Sequence, residues 1–492
     1  MASSKRLTTS PALPLAPPLA IVLAALLSSA ALTPVQAQVQ VQTLAAPDLF
    51  STPAGDTGLS GDLWKDASPG IVRDVLPKLA SKPLSPAGAA LARRVLATGA
   101  NAPAGVGDDP DMGAARAMAL IVLGDAAGAD AVLDRVPGVA ASPALSLAAA
   151  EAALITGADD KACKIGEALN VERGAPYWLR LRAFCQVLAG QNDAAQLTLN
   201  LALAQTKDAD YARLMSAALS GTPAGAANLK NGVNYALSRK LGLDIQSAAA
   251  VASASPALKP VLKPAPGLAD GVDLTAAQGS AVAALRAAKG LAAFTEVAKA
   301  SIASIAAIAR ADAPLEDPVL LARAALAAGD LATAQTIRGK LTSDAIPNAS
   351  GQDLALLDAA LAAAEGRKDV QVLDGLIERG AQGGAKSPAQ PAAVILAALG
   401  GTMGPEARAQ FVAFDPGKPV ASAPRLTVLD DAAAAGRKGE TALLALSVAA
   451  EAGVNGPGPI DRARLVRALF KAGLDADARA LAVEGLLALQ VK

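Results

Sequence analysis

The residues of this chain that could do chemistry are few, and the first fact is an absence. Its 492 residues include no histidine. That removes Ser-His-Asp and Cys-His nucleophiles, histidine acid–base work and His-ligated zinc. Carboxylates remain, and some stand side by side, as Asp108-Asp109 and Asp430-Asp431 do. A catalytic pair must flank a substrate across a defined gap, which adjacency in sequence does not provide. Asp108 and Asp109 precede an expected helix, where an acidic side chain caps the free amides. The Gly-rich stretch Gly380–Gly384 carries no phosphate-loop pattern. The expectation is a non-enzymatic protein with no catalytic residue, no metal and no cofactor.

Cys163 and Cys185 are the only cysteines, too far apart for a redox pair of the C-x-x-C kind. In an exported chain an even number reads as one disulfide. It would close a loop of about 20 residues, worth on the order of 3 kcal/mol in chain entropy. Two buried free thiols are the alternative. Aromatic residues make up only 2% of the chain, and the segment Tyr177–Leu188 concentrates them. Tyr177, Leu181, Phe184 and Leu188 fall on one helical stripe, and Trp178, Arg182 and Cys185 on another. This reads as a core helix. Trp64 is a candidate partner contact, since tryptophan is enriched at binding hot spots. Arg180 and Arg182, with Arg93-Arg94, are candidates for an anionic partner such as peptidoglycan; solvated helix faces and i,i+4 ion pairs are the plainer reading.

The elements that position these residues begin with an address. Lys5 and Arg6 precede an uncharged apolar stretch, Leu19–Leu27, then small residues and Val35-Gln36-Ala37. That is the order of a secretory signal, cut after Ala37 with Ala31 as the alternative. The apolar run is shorter than the roughly 20 residues a bilayer span needs. The remainder (38–492) is expected in the periplasm, with no membrane span. Lys+Arg and Asp+Glu both number 44, so nothing in the charge balance attracts nucleic acid or anionic lipid.

Alanine supplies about a quarter of the chain, and strand-forming runs are nearly absent. The fold class is all-α. Gly124, Gly157 and Gly190 follow helical segments at intervals of 33 residues, each with alanine five positions on (Ala129, Ala162, Ala195). Gly329 and Gly473 repeat the device, with Ala334 and Ala478, and intervals of 37 residues link Gly329 to Gly366 and Gly436 to Gly473. A left-handed glycine ends one helix, a polar residue caps the next, and a small residue one turn in lets the backbones approach. A helix–turn–helix period of about 33–37 residues is the pattern of an α-solenoid of antiparallel hairpins.

The Leu-x-x-Gly-Asp step at 326–330 and the small residues Ala129, Ala162, Ala195 and Ala334 resemble the tetratricopeptide-like superfamily, without most of its aromatic positions. The chain also resembles alanine-rich exported helical proteins of Alphaproteobacteria in composition and around Trp178–Cys185. The first resemblance implies a surface that holds proteins or peptides. The expected organisation is a signal peptide (1–37), a flexible arm (38–60), an N-terminal solenoid (61–221), a Pro/Ala-rich connector (222–273) and a C-terminal solenoid (274–492). The connector is either a hinge or chain packed along the first half, with one short helix at Asn234–Leu241. The final helix is expected to cap the stack. The function this implies is a periplasmic scaffold or adaptor for another cell-envelope protein. The alternative is a peptidoglycan-binding solenoid like the non-catalytic part of lytic transglycosylases.

Overall fold

A computed structural model describes residues 48–262, 273–311, 314–341 and 349–491. The signal peptide, its cleavage site and residues 38–47 lie outside the described residues. Among those described, every regular element is helical.

Helices α1 (Pro69–Ser81) and α2 (Pro86–Ala97) come first. Three hairpins follow: α3 (Pro110–Val122) with α4 (Ala126–Leu133), α5 (Pro143–Thr156) with α6 (Asp159–Ala168), and α7 (Pro176–Leu188) with α8 (Asn192–Gln205). Next come α9 (Ala209–Ser220), α10 (Gly232–Lys240), α11 (Ala248–Ser253), α12 (Lys259–Leu262), α13 (Leu274–Ala287) and α14 (Gly290–Arg310). Two more hairpins pair α15 (Pro318–Ala328) with α16 (Leu331–Gly339) and α17 (Gly351–Glu365) with α18 (Val370–Gly383). After α19 (Ala389–Ala397) and α20 (Pro405–Val412), the last two pair α21 (Ala423–Ala434) with α22 (Lys438–Ala452) and α23 (Pro459–Lys471) with α24 (Asp475–Ala488).

Seven of these hairpins turn in the same way. Gly124, Gly157, Gly190, Gly329, Gly366, Gly436 and Gly473 all take φ between +71° and +88°. At each, the next residue donates its amide to the carbonyl five positions earlier, over 2.8–3.0 Å. That bond satisfies a helix-end carbonyl that would otherwise lack a partner. Asp125 and Asp330 then accept the amides of Gly128 and Thr333, capping the returning helix. Ala129, Ala162, Ala195, Ala334 and Ala478 have no exposed surface. The spacing read from the sequence is therefore a spacing of real turns.

The packing joins the first described helices to the last. The described residues form one compact unit, and its main apolar core runs from Phe50 to Leu487. Helix α1 packs on α3 and α22, and α2 packs on α22 and α24. A smaller core joins α5–α10 around Trp178, Phe184, Tyr211 and Met215. The expected boundary at 222–273 thus does not divide the packing, since segments assigned to opposite halves share the main core.

Two further expectations are corrected, and of the connector's two alternatives the described residues show packed chain. Residues 48–60 are no loose arm. The buried Arg116 guanidinium donates to the carbonyls of Leu49, Thr52, Leu96 and Thr98, and Phe50 is fully buried beneath it. The described connector, 222–262, is packed chain: Leu229, Leu258 and Leu262 are buried, and Pro260 sits on Gly124. Its helix α10 falls where the short helix was expected. Finally, α24 is no solvent-facing cap. It touches α2, α14, α15, α17, α19 and α23, because its apolar residues are not gathered on one face and most of the helix from Leu481 to Leu487 is buried.

One helix among the described residues, α14, is long and apolar enough to cross a membrane by length and composition. Glu296 and Lys299 interrupt it, and Leu291, Phe294, Ala298, Ile305 and Ile308 are buried in the protein.

Candidate functional site

An alanine-lined recess lies where the first described helices meet the last. A cleft of about 500 Å³ is walled by the start of α2, by α14, by the α15–α16 turn and by α24. Alanines make much of the wall: Ala87, Ala90, Ala327, Ala328, Ala364, Ala476 and Ala480. Side chains this small leave room that leucines would fill. The polar members are Thr295, Lys299, Arg479 and Glu484.

These polar groups are held by structure around them. Glu484 is 6% exposed; it pairs with Arg462 at 2.5 Å and accepts the amide of Ala87 at 2.6 Å. Arg462 is itself buried and also donates to the carbonyls of Pro457 and Asn455. Arg479 lies over the glycine turn that ends α17. A Cβ on Gly366 would stand 2.7 Å from its guanidinium. A cation belongs there, since a helix C-terminus carries partial negative charge. The cleft is thus an apolar seat with a fixed carboxylate on one side and a guanidinium on the other. That arrangement can hold a chain segment and orient it; it offers no activated nucleophile.

The residues singled out in the sequence lie elsewhere. Trp64 is 3% exposed, edge-on to Phe50 with ring centres 6.2 Å apart, and packed over Gly439 at the start of α22. It anchors the N-terminal segment to the C-terminal helices, so it is not an exposed partner contact. Arg180 pairs with Asp208 at 3.1 Å and lies over the Tyr211 ring. Arg182 donates to the Arg173 carbonyl at 3.3 Å. Both arginines serve the smaller core, and neither meets the cleft. Cys163 and Cys185 form the expected disulfide, linking α6 to α7 with Cα atoms 5.7 Å apart. Asp109 caps α3, as its position implied.

Sequence reasoning missed Glu484, Arg462 and Arg479. The available signal was a charge set among apolar residues, as Glu484 stands within Leu481–Leu487 of α24. No family model, curated protein or solved structure matches this chain.

Proposed function

We propose that this chain is a non-enzymatic scaffold of the cell envelope, a divergent tetratricopeptide-like α-solenoid that holds another protein on its helical surface. The observation that carries this reading is the seven-fold reuse of one glycine turn, with a buried small residue one helical turn beyond it at most sites. Stacked hairpins of this kind display long grooves made of side chains already held in place, so binding orders little new chain. The alanine-lined cleft is the seat proposed for the partner. The Cys163–Cys185 disulfide supports the exported location, because such bonds persist in oxidising compartments.

Cross-linking in living cells, followed by purification and mass spectrometry, tests the reading. A stoichiometric envelope protein is expected, and Ala480→Trp, which fills the cleft from an exposed position, should lose it. Recovery of the protein alone, together with pelleting on purified sacculi, would replace this reading with peptidoglycan binding.

A further inference from the structure

A second cavity, of about 520 Å³, opens between α13, the start of α15, α17 and residues 490–491. Arg323 lines it and is 8% exposed. Its guanidinium lies 5.7 Å from the centre of the buried Phe294 ring, and its Nε has no hydrogen-bond partner. Among the described residues no carboxylate is within ion-pair distance of it. Asp317 and Asp353 line the same cavity and reach Arg323 only through their longer-range charge, each being engaged with another partner. Asp317 holds Arg286 at 2.8 Å and accepts the Leu320 amide, while Asp353 accepts the amide and hydroxyl of Ser350. Lys289 stands at the exposed rim of the same cavity.

Such an arrangement is costly for a protein that binds nothing there. A buried cation without a partner loses its hydration and receives no ion pair in return. Burial pushes the Arg323 guanidinium down to about 10, so it stays charged at neutral pH. A guanidinium over an aromatic face is attracted by the ring's charge distribution, and its planar fork can make two parallel hydrogen bonds to a carboxylate.

We propose that this cavity binds a small carboxylate-bearing molecule, its carboxylate on Arg323 and a second anionic group toward Lys289. The planar fork suits a carboxylate, and two separated cations suit a dicarboxylate. The cavity's volume is in the range of small-molecule sites. The site shares no lining residue with the alanine-lined cleft, so it stands whether or not the scaffold reading does.

Calorimetric titration of the full chain with succinate, glutamate and acetate, at fixed ionic strength and up to about 10 mM, is the test. Succinate should bind saturably with one site per chain. Arg323→Met should weaken it about thirtyfold or more, as for removal of one partner of a buried charge pair. Lys289→Gln should weaken succinate more than acetate. Should Arg323→Met fail to fold, Lys289→Glu at the exposed rim gives the same reading: lost succinate binding supports the site, and unchanged affinity overturns it. Absence of saturable binding by all three carboxylates also overturns it, as does binding of inorganic phosphate in their place.

Discussion

The carboxylate of Glu484 accepts the backbone amide of Ala87 at 2.6 Å, across 397 residues of sequence. Glu440 does the same for Ser68, across 372 residues at the same distance. Two C-terminal glutamates thus cap the first turns of α2 and α1. Each also carries an arginine, Arg462 for Glu484 and Arg437 for Glu440. Helix N-termini lack amide partners and carry partial positive charge, so a carboxylate answers both needs. Arg94 of α2 meets Asp477 of α24 beside them. The N-terminal hairpin is therefore fastened by charge as well as by apolar contact.

Glu484→Ala should destabilise the protein by about 3–5 kcal/mol, because Arg462 is left charged and unpaired in the core. The double variant Glu484→Leu/Arg462→Met should recover a good part of that loss. Urea denaturation measures both. Equal losses in the single and double variants would mean that the amide cap, not the buried charge, is what matters.

The glycine turns separate conformational cost from crowding. At Gly190 and Gly329 a Cβ would meet nothing, and only the positive φ opposes it. Gly190→Ala and Gly329→Ala should each cost about 1–2 kcal/mol. At Gly124 the added carbon would stand 2.7 Å from Pro260 Cγ. Gly124→Ala should cost about 1–3 kcal/mol more than the other two. Thermal or urea unfolding of the three variants side by side checks the order, and equal losses would remove Pro260 from the account.

The sequence disclosed what is local. Alanine-rich helices, the left-handed glycines and the small residues at +5 all follow from backbone rules within one turn of chain. The closing of the chain was not legible in the same way. It depends on which helix lies beside which, and α5, α22 and α24 gather their apolar residues on no single face, so periodicity names no preferred one. Trp64 shows the consequence. Its type suggested a binding surface, but its site is a close backbone approach that only Gly439, 375 residues later in the chain, permits. Arg323 and Glu484 were hidden for a related reason: a charge in an apolar helix reads as an interruption until its neighbours are known.

The disulfide should matter to one region more than to the whole. Cys163 and Cys185 lie in the smaller core, whose helices α6–α9 make few contacts with the main one. With a sequence separation of 22, the chain-entropy contribution is about 3 kcal/mol. Reduction, or Cys163→Ser/Cys185→Ser, should speed amide exchange in α6–α8 while exchange in α22 and α24 keeps its rate. A uniform acceleration across the chain would mean that the two cores unfold as one.

Glu151 gives a prediction in pH. It lies inside α5 at 9% exposure, one oxygen accepting the Gly232 amide at 2.9 Å, with the buried Tyr177 hydroxyl also acting on the carboxyl. Burial raises its pKa above the usual 4.5, and the Gly232 amide and the Tyr177 hydroxyl offset this only in part. In the folded state the group therefore holds its proton at a pH where the unfolded chain has released it. The sign follows: its contribution to stability is full below about 4.5 and is lost as pH rises through the higher folded value. Glu151→Gln keeps an oxygen for the Gly232 amide and cannot ionise. The variant should match the parent in acid and become the more stable of the two as pH rises toward neutrality. Urea unfolding of both proteins across that range measures the difference, and a gap that stays constant with pH would show that Glu151 titrates alike in the folded and unfolded states.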